Sequence, residues 1–168
     1  NEPLPFTPSL AEIDYLALNN DYDRQPFFNR YLNSVHFVDE LVGQILKRFA
    51  EEEKLIENTV IVITADHGQE FNENRLNYWG HNGNFSRYQT GVPLVVAWPG
   101  RSAEEFHHRT SHFDIAPTVL SELLQCENNA KDYSVGTSLF QPGNRDTLLL
   151  ANYGQYAIVG KDRITIFQ

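Results

Sequence analysis

Apolar side chains recur at three- and four-residue steps from Phe28 through Tyr31, Leu32, Val35, Val38, Leu41, Val42, Ile45 and Leu46 to Phe49. That is the period of an amphipathic helix, and it predicts one over residues 26–52, packed lengthwise on a sheet. Asp39 and Gly43 break the stripe. A buried carboxylate needs hydrogen-bonding partners, and a mid-helix glycine costs about 1 kcal/mol unless close packing uses it, so both residues are expected to serve the packing. Further along the period disappears. Thr59-Val60-Ile61-Val62-Ile63-Thr64 and Val92-Pro93-Leu94-Val95-Val96-Ala97-Trp98 are continuous apolar runs rich in β-branched residues. Runs without alternation mark strands covered on both faces, as inside a parallel sheet.

Shorter signals fill in the remainder. Thr7-Pro8 ahead of Leu10, Ile13 and Leu16 predicts a helix with a threonine cap and proline in its first turn, ended by Asn19-Asn20-Asp21-Tyr22-Asp23. Ser111-His112-Phe113-Asp114 leads into residues 115–124, read as a helix capped by Asp114 with Pro117 in its first turn. Three short runs at 147–150, 156–159 and 164–167 are separated by Asn152-Tyr153-Gly154 and Gly160-Lys161-Asp162. They predict a small antiparallel sheet.

Candidate chemistry gathers where the first covered strand stops, at Ala65-Asp66-His67-Gly68. In open α/β sheets ligands bind just beyond the carboxyl ends of strands. A carboxylate oxygen beside an imidazole nitrogen suits zinc or manganese, with calcium or magnesium open if more oxygens join. The alternative is a strand-end pair that caps the neighbouring turn. Two ligands do not complete a metal site, and the sequence offers neither a second strand-end carboxylate nor an activated Ser, Thr or Cys nucleophile. Those parts are expected to precede Asn1. A second imidazole, His81, sits in the glycine-flanked Trp79-Gly80-His81-Asn82-Gly83. His36 and the His107-His108 pair are read as surface histidines.

Composition narrows the class. With 41% hydrophobic, 21% charged and 12% aromatic residues, the chain is globular material. Thirteen Lys and Arg against 22 Asp and Glu give a net charge of -9, which argues against a general nucleic-acid or anionic-membrane surface. Cys126 has no partner for an internal disulfide. The apolar runs are of strand length, short of the roughly 20 residues of a membrane helix. A chain that opens on Asn1 and holds no Met is expected to be part of a longer polypeptide, with any anchor or export signal upstream.

Four motifs in order, Thr64-Ala65-Asp66-His67-Gly68, Gly80-His81, Val92-Pro93-Leu94-Val95-Val96 through Pro99-Gly100, and Ser111-His112-Phe113-Asp114-Ile115-Ala116-Pro117-Thr118-Val119-Leu120, resemble the C-terminal half of the sulfatase and alkaline phosphatase superfamily. The likeness covers about residues 27–124. It implies an α/β fold, the C-terminal portion of a three-layer α/β/α sandwich over residues 1–140, with residues 141–168 opening a small antiparallel β subdomain. It also implies that Asp66 and His67 bind a catalytic divalent metal and that the nucleophile lies in an earlier half of the polypeptide. Near His81 many sulfatases place a Lys, whereas phosphoethanolamine transferases of the superfamily place a His. The resemblance therefore makes His81 a candidate catalytic proton donor or second-metal ligand and favours a phosphate-containing lipid over a sulfate ester.

The flanking segments, residues 6–20 and 132–140, are similar to the sulfatase-like ectodomains of a group of Gram-negative inner-membrane proteins. That similarity implies a periplasmic location and a role in lipopolysaccharide and cardiolipin homeostasis. It implies as partners the remainder of the same polypeptide, with its membrane segments, and an anionic lipid such as lipid A, but no nucleic acid. Some members of that group have degenerate metal motifs and sense lipid instead of turning over substrate. Two functions thus stand side by side: a metal-dependent hydrolase or transferase of sulfate or phosphate esters, and a lipid-binding regulatory ectodomain on an inherited fold.

Overall fold

A computed structural model describes residues 3–141, 143 and 145–168. They form two compact units, Asn1–Ser102 and Ala103–Gln168, each with its own packing.

In the first unit the long periodic stretch is helix α1, Gln25–Glu51, with Pro26 in its first turn, followed by the short α2, Glu53–Ile56. Strand β1, Ile61–Thr64, leads to a two-residue hairpin of β2, Glu70–Phe71, and β3, Trp79–Gly80. Helix α3, Arg87–Thr90, and strand β4, Leu94–Ala97, complete the unit. The two apolar runs do form strands, but they pair with each other and antiparallel, Ile61 opposite Ala97 and Thr64 opposite Leu94. Each alternates half-buried with exposed positions, so the parallel, doubly covered arrangement expected from the sequence is not seen. An unbroken apolar run reports a strand's affinity for cover and says nothing of the direction of its neighbour.

The core of this unit lies at the start of α1. Phe27, Phe71 and Leu18 are buried, with Leu10, Ile13, Tyr22, Phe28 and Trp79 packed around them. Phe71 meets the rings of Phe27 and Phe28 edge-on, both at 5.1 Å, and Trp79 stacks on Phe27. The hairpin is thereby fastened to the first turns of α1. Lengthwise packing of α1 stops there. Val35, Val38, Leu41 and Ile45 are exposed, as is Asp39, and nothing lies within 4 Å of where a side chain on Gly43 would be. The expected packing role of these two residues is absent among the described residues.

No helix caps on Thr7. Residues 3–14 run irregularly, and only a 3-10 turn, Tyr15–Ala17, forms, capped by Asp14. The reason is where the backbone groups go. The carbonyls of Phe6 and Pro8 accept from the Asn33 and Asn29 side chains, that of Leu10 from Arg30, and the Leu10 amide donates to Pro26, so α1 satisfies this segment instead of its own turns.

The second unit opens with residues 103–111, a largely exposed stretch carrying the exposed His107 and a half-buried His108. A 3-10 turn, His112–Asp114, continues into α4, Ile115–Thr118, and a π-helical last turn, Val119–Leu123. Asp114 does not cap as a first residue. It closes a capping box whose cap is Ser111. The predicted C-terminal sheet is present as an antiparallel meander, β5, Leu148–Ala151, β6, Tyr156–Val159, and β7, Ile164–Phe167, in the order β5-β6-β7.

Candidate functional site

Asp66 and His67 sit just past the end of β1, as the sequence placed them. Asp66 is almost fully open, 88% exposed, and His67 is 42% exposed. Their local geometry is fixed by the backbone: Asp66 Oδ1 accepts the amide of His67 at 3.0 Å, and His67 Nδ1 lies 2.9 Å from its neighbour's carbonyl, Gly68 O. A carbonyl only accepts, so Nδ1 carries a proton, and in the neutral ring the lone pair is on Nε2. That nitrogen is 3.6 Å from Asp66 Oδ2. Two ligands bound at about 2.0–2.1 Å on a tetrahedral ion stand roughly 3.3 Å apart. The pair therefore has the spacing and the tautomer of two donors to one metal, with the backbone carbonyl in the supporting position that metal-bound histidines use.

His81 arrives by way of the hairpin. Register Glu70 opposite Gly80 and Phe71 opposite Trp79 folds the chain back on itself, so the residue after β3 returns to the side of the residues before β2. The His81 ring stacks on that of His67, centroids 4.1 Å apart and 13° from parallel. Gly80 takes φ +108°, which an L side chain rarely adopts, so the turn of chain that delivers His81 depends on glycine there. The structure thus brings together all three residues singled out from the sequence. Parallel stacked rings direct their lone pairs side by side instead of toward one point, so His81 faces the ring of His67 and does not join it on a single ion in this arrangement. Among the described residues no cluster of three or more His, Cys, Asp or Glu has the geometry to hold a metal ion. Asp66 and His67 offer two donors of the kind and spacing that a metal site uses.

Two site-building residues escape a sequence reading. Glu70 is fully buried, and its carboxylate accepts from Asn74, Asn84, Ser86 and Gln89. Gln89 is buried beside it. A signal for the hairpin itself was available in the sequence: aromatic Phe71 and Trp79 bracket an asparagine-rich tract, and Asn72 and Asn77 take positive φ, a conformation in which Asn is enriched.

The sulfatase family profile matches residues 6–123 of this chain. The chain belongs to the sulfatase family. It is 29% identical to the inner membrane protein YejM of Salmonella typhimurium over 149 residues, covering 88% of this chain and 24% of that protein. It is also 31% identical to the steryl-sulfatase of Rattus norvegicus over 131 residues, 67% of this chain and 22% of that one. Lipoteichoic acid synthase 1 of Bacillus subtilis is 30% identical over 127 residues, 73% of the chain and 19% of the synthase. The chain thus spans about a quarter or less of these relatives. Its mixed α/β fold with small antiparallel sheets is consistent with a sulfatase-type domain. None of its described helices is long and apolar enough to cross a membrane.

Proposed function

We propose that this chain is the metal-binding, C-terminal portion of a sulfatase-type α/β/α sandwich that hydrolyses or transfers a phosphate or sulfate ester at the periplasmic face of a Gram-negative inner membrane. Residues 141–168 open its small C-terminal β subdomain, and the remainder of the polypeptide supplies the nucleophile, further ligands and membrane segments. What carries the reading is the donor pair, Asp66 Oδ2 and His67 Nε2 3.6 Å apart at the end of a strand, with a second imidazole stacked at 4.1 Å. Asp66 and His67 would hold a divalent ion, zinc, manganese, calcium or magnesium. When bound, such an ion supplies Lewis-acid stabilisation of charge on the ester oxygens.

The protein's own groups do the rest. The carbonyl of Gly68 keeps the Nδ1 proton in place so that Nε2 stays available. His81, the second imidazole beside His67, donates the proton to the leaving oxygen. Residues 69–91 contain no Lys to contact a sulfate, which favours a phosphate ester of an envelope lipid. The test is metal analysis of the complete ectodomain together with His81→Ala. Metal content should be unchanged in the variant, and ester turnover should fall by about 100- to 10,000-fold. Unchanged turnover, or a wild-type preference for sulfate esters, would remove His81 from this role.

A second reading is a regulatory ectodomain that binds an anionic lipid such as lipid A or cardiolipin without turnover. The two-ligand site and the likeness to an inner membrane protein favour it. An ectodomain that holds no metal, turns over no ester and is retained on cardiolipin-containing vesicles would establish it over the first.

A further inference from the structure

Gln89 has no place in the chemistry above, yet it touches the backbone next to both histidines. Its main-chain carbonyl accepts the amide of Gly68, the residue after His67, at 2.8 Å. Its side-chain Nε2 donates to the carbonyl of Asn82, the residue after His81, at 3.2 Å, and to Glu70 Oε2 at 2.9 Å. The same Glu70 oxygen accepts from Asn84 Nδ2 at 2.8 Å and Ser86 Oγ at 2.9 Å, and Oε1 accepts from Asn74 Nδ2 at 3.1 Å. The buried carboxylate thus gathers both ends of the His81 loop around one amide. The chain also approaches closely on the His67 side: a Cβ on Gly68 would lie 2.1 Å from the carbonyl oxygen of Tyr88.

The Gln89 Nε2 bond to the buried Glu70 carboxylate is stabilising, but its Oε1 is buried without a hydrogen-bond partner, which offsets part of that gain. Nor do the two imidazoles hold each other, since both residues are exposed and a stacking contact in water is weak. We propose that Gln89, anchored by Glu70, is a positioning residue that sets the separation of His67 and His81. A residue whose main-chain carbonyl holds the amide after His67, and whose side chain holds the carbonyl after His81, fixes the span between the two by its own length. The consequence for catalysis rests on the proposed roles of His67 and His81; the geometric claim does not.

The experiment uses Gln89→Leu, which keeps the volume and removes the donor. In histidine-labelled protein the nuclear Overhauser contact between the His67 and His81 rings should be present in the wild type and lost in the variant. The far-UV spectrum should stay close to wild type, while the melting temperature falls modestly with the loss of the bond to buried Glu70. Zn²⁺ alone, titrated calorimetrically, should bind about 10- to 100-fold more weakly to the variant, the usual effect of removing an outer-shell support. A ring contact that persists in Gln89→Leu overturns the proposal. Should that variant fail to fold, Gln89→Met, equally without a donor and more adaptable in shape, decides by the same ring contact. Loss of the contact in a protein whose wild type binds no Zn²⁺ upholds the positioning role and defeats the metal reading. Tight Zn²⁺ binding with an unchanged contact does the reverse.

Discussion

Asp114 shows how a single side chain can be misread by its position and correctly read by its partners. It stands ahead of an apolar helix, where a cap is the natural assignment, and it is 2% exposed. Burial by itself would raise its pKa, but hydrogen bonds from Arg145 and from the amides of Thr137 and Ser111, with the charge of Arg145, outweigh it and hold the carboxyl below its ordinary value. Arg145 reaches it with both guanidinium nitrogens. A carboxylate whose pKa is depressed on folding contributes stability in full above the unfolded value, and that contribution is lost as pH falls through the folded one. The melting temperature of the wild type should therefore drop as pH is lowered below about 4, and Asp114→Asn should flatten this acid limb. The same variant should cost about 3–5 kcal/mol at neutral pH, because Arg145 is left beside a group that no longer answers its charge. Equal acid sensitivity in both proteins would show that other carboxylates carry the effect. Asp66, His67 and His81 were legible in the sequence because strand ends and glycine-flanked loops advertise themselves locally. Glu70, Gln89 and Arg145 were not, since each matters through partners distant in sequence.

At the scale of elements, the periodic stripe located α1 to within a residue at each end, and the C-terminal meander was equally plain. The N-terminal segment was not. Its Thr-Pro signal is local, whereas its fate is set by Asn29, Arg30 and Asn33, which take its carbonyls from across the fold. The hairpin's strands were hard to place for a related reason: two residues have no period to read, so only the asparagine-rich tract between Phe71 and Trp79 marks the turn, and what fixes the strands is Phe71 seated on Phe27, Phe28 and Tyr31. Phe71→Ala should cost about 3–5 kcal/mol, as for other buried aromatic truncations. It should also release the hairpin that carries His81, so the ring contact between His67 and His81 should vanish while the helical signal of α1 largely remains. Loss of helix and ring contact together would mean that α1 depends on the hairpin as much as the hairpin depends on α1.

At the scale of the whole molecule, the apolar surface that α1 and the strand pair leave open bears on what the chain can do. Val35, Val38, Leu41 and Ile45 on α1 and Val62 and Val95 on β1 and β4 are exposed, and an open groove of about 370 Å³ lies along Leu41, Ile45 and Phe49. An apolar helix face left open along α1 marks an interface more often than a finished exterior, and an unpaired strand edge invites a further strand. The proposed metal site is unfinished in the same sense, with two candidate donors, Asp66 and His67, and the ring of His81 beside them. Both observations point one way if the remaining sheet and the remaining ligands come from the same polypeptide. The 168-residue chain alone should then turn over neither a chromogenic phosphate nor a chromogenic sulfate ester with Zn²⁺, Mn²⁺, Ca²⁺ or Mg²⁺ supplied. Addition of the complementary portion of the protein should both restore turnover and protect the Val35-to-Ile45 face of α1 from hydrogen exchange. Turnover by the isolated chain that disappears in His81→Ala would show instead that the nucleophile is already among these residues, and the division of labour proposed here would be wrong.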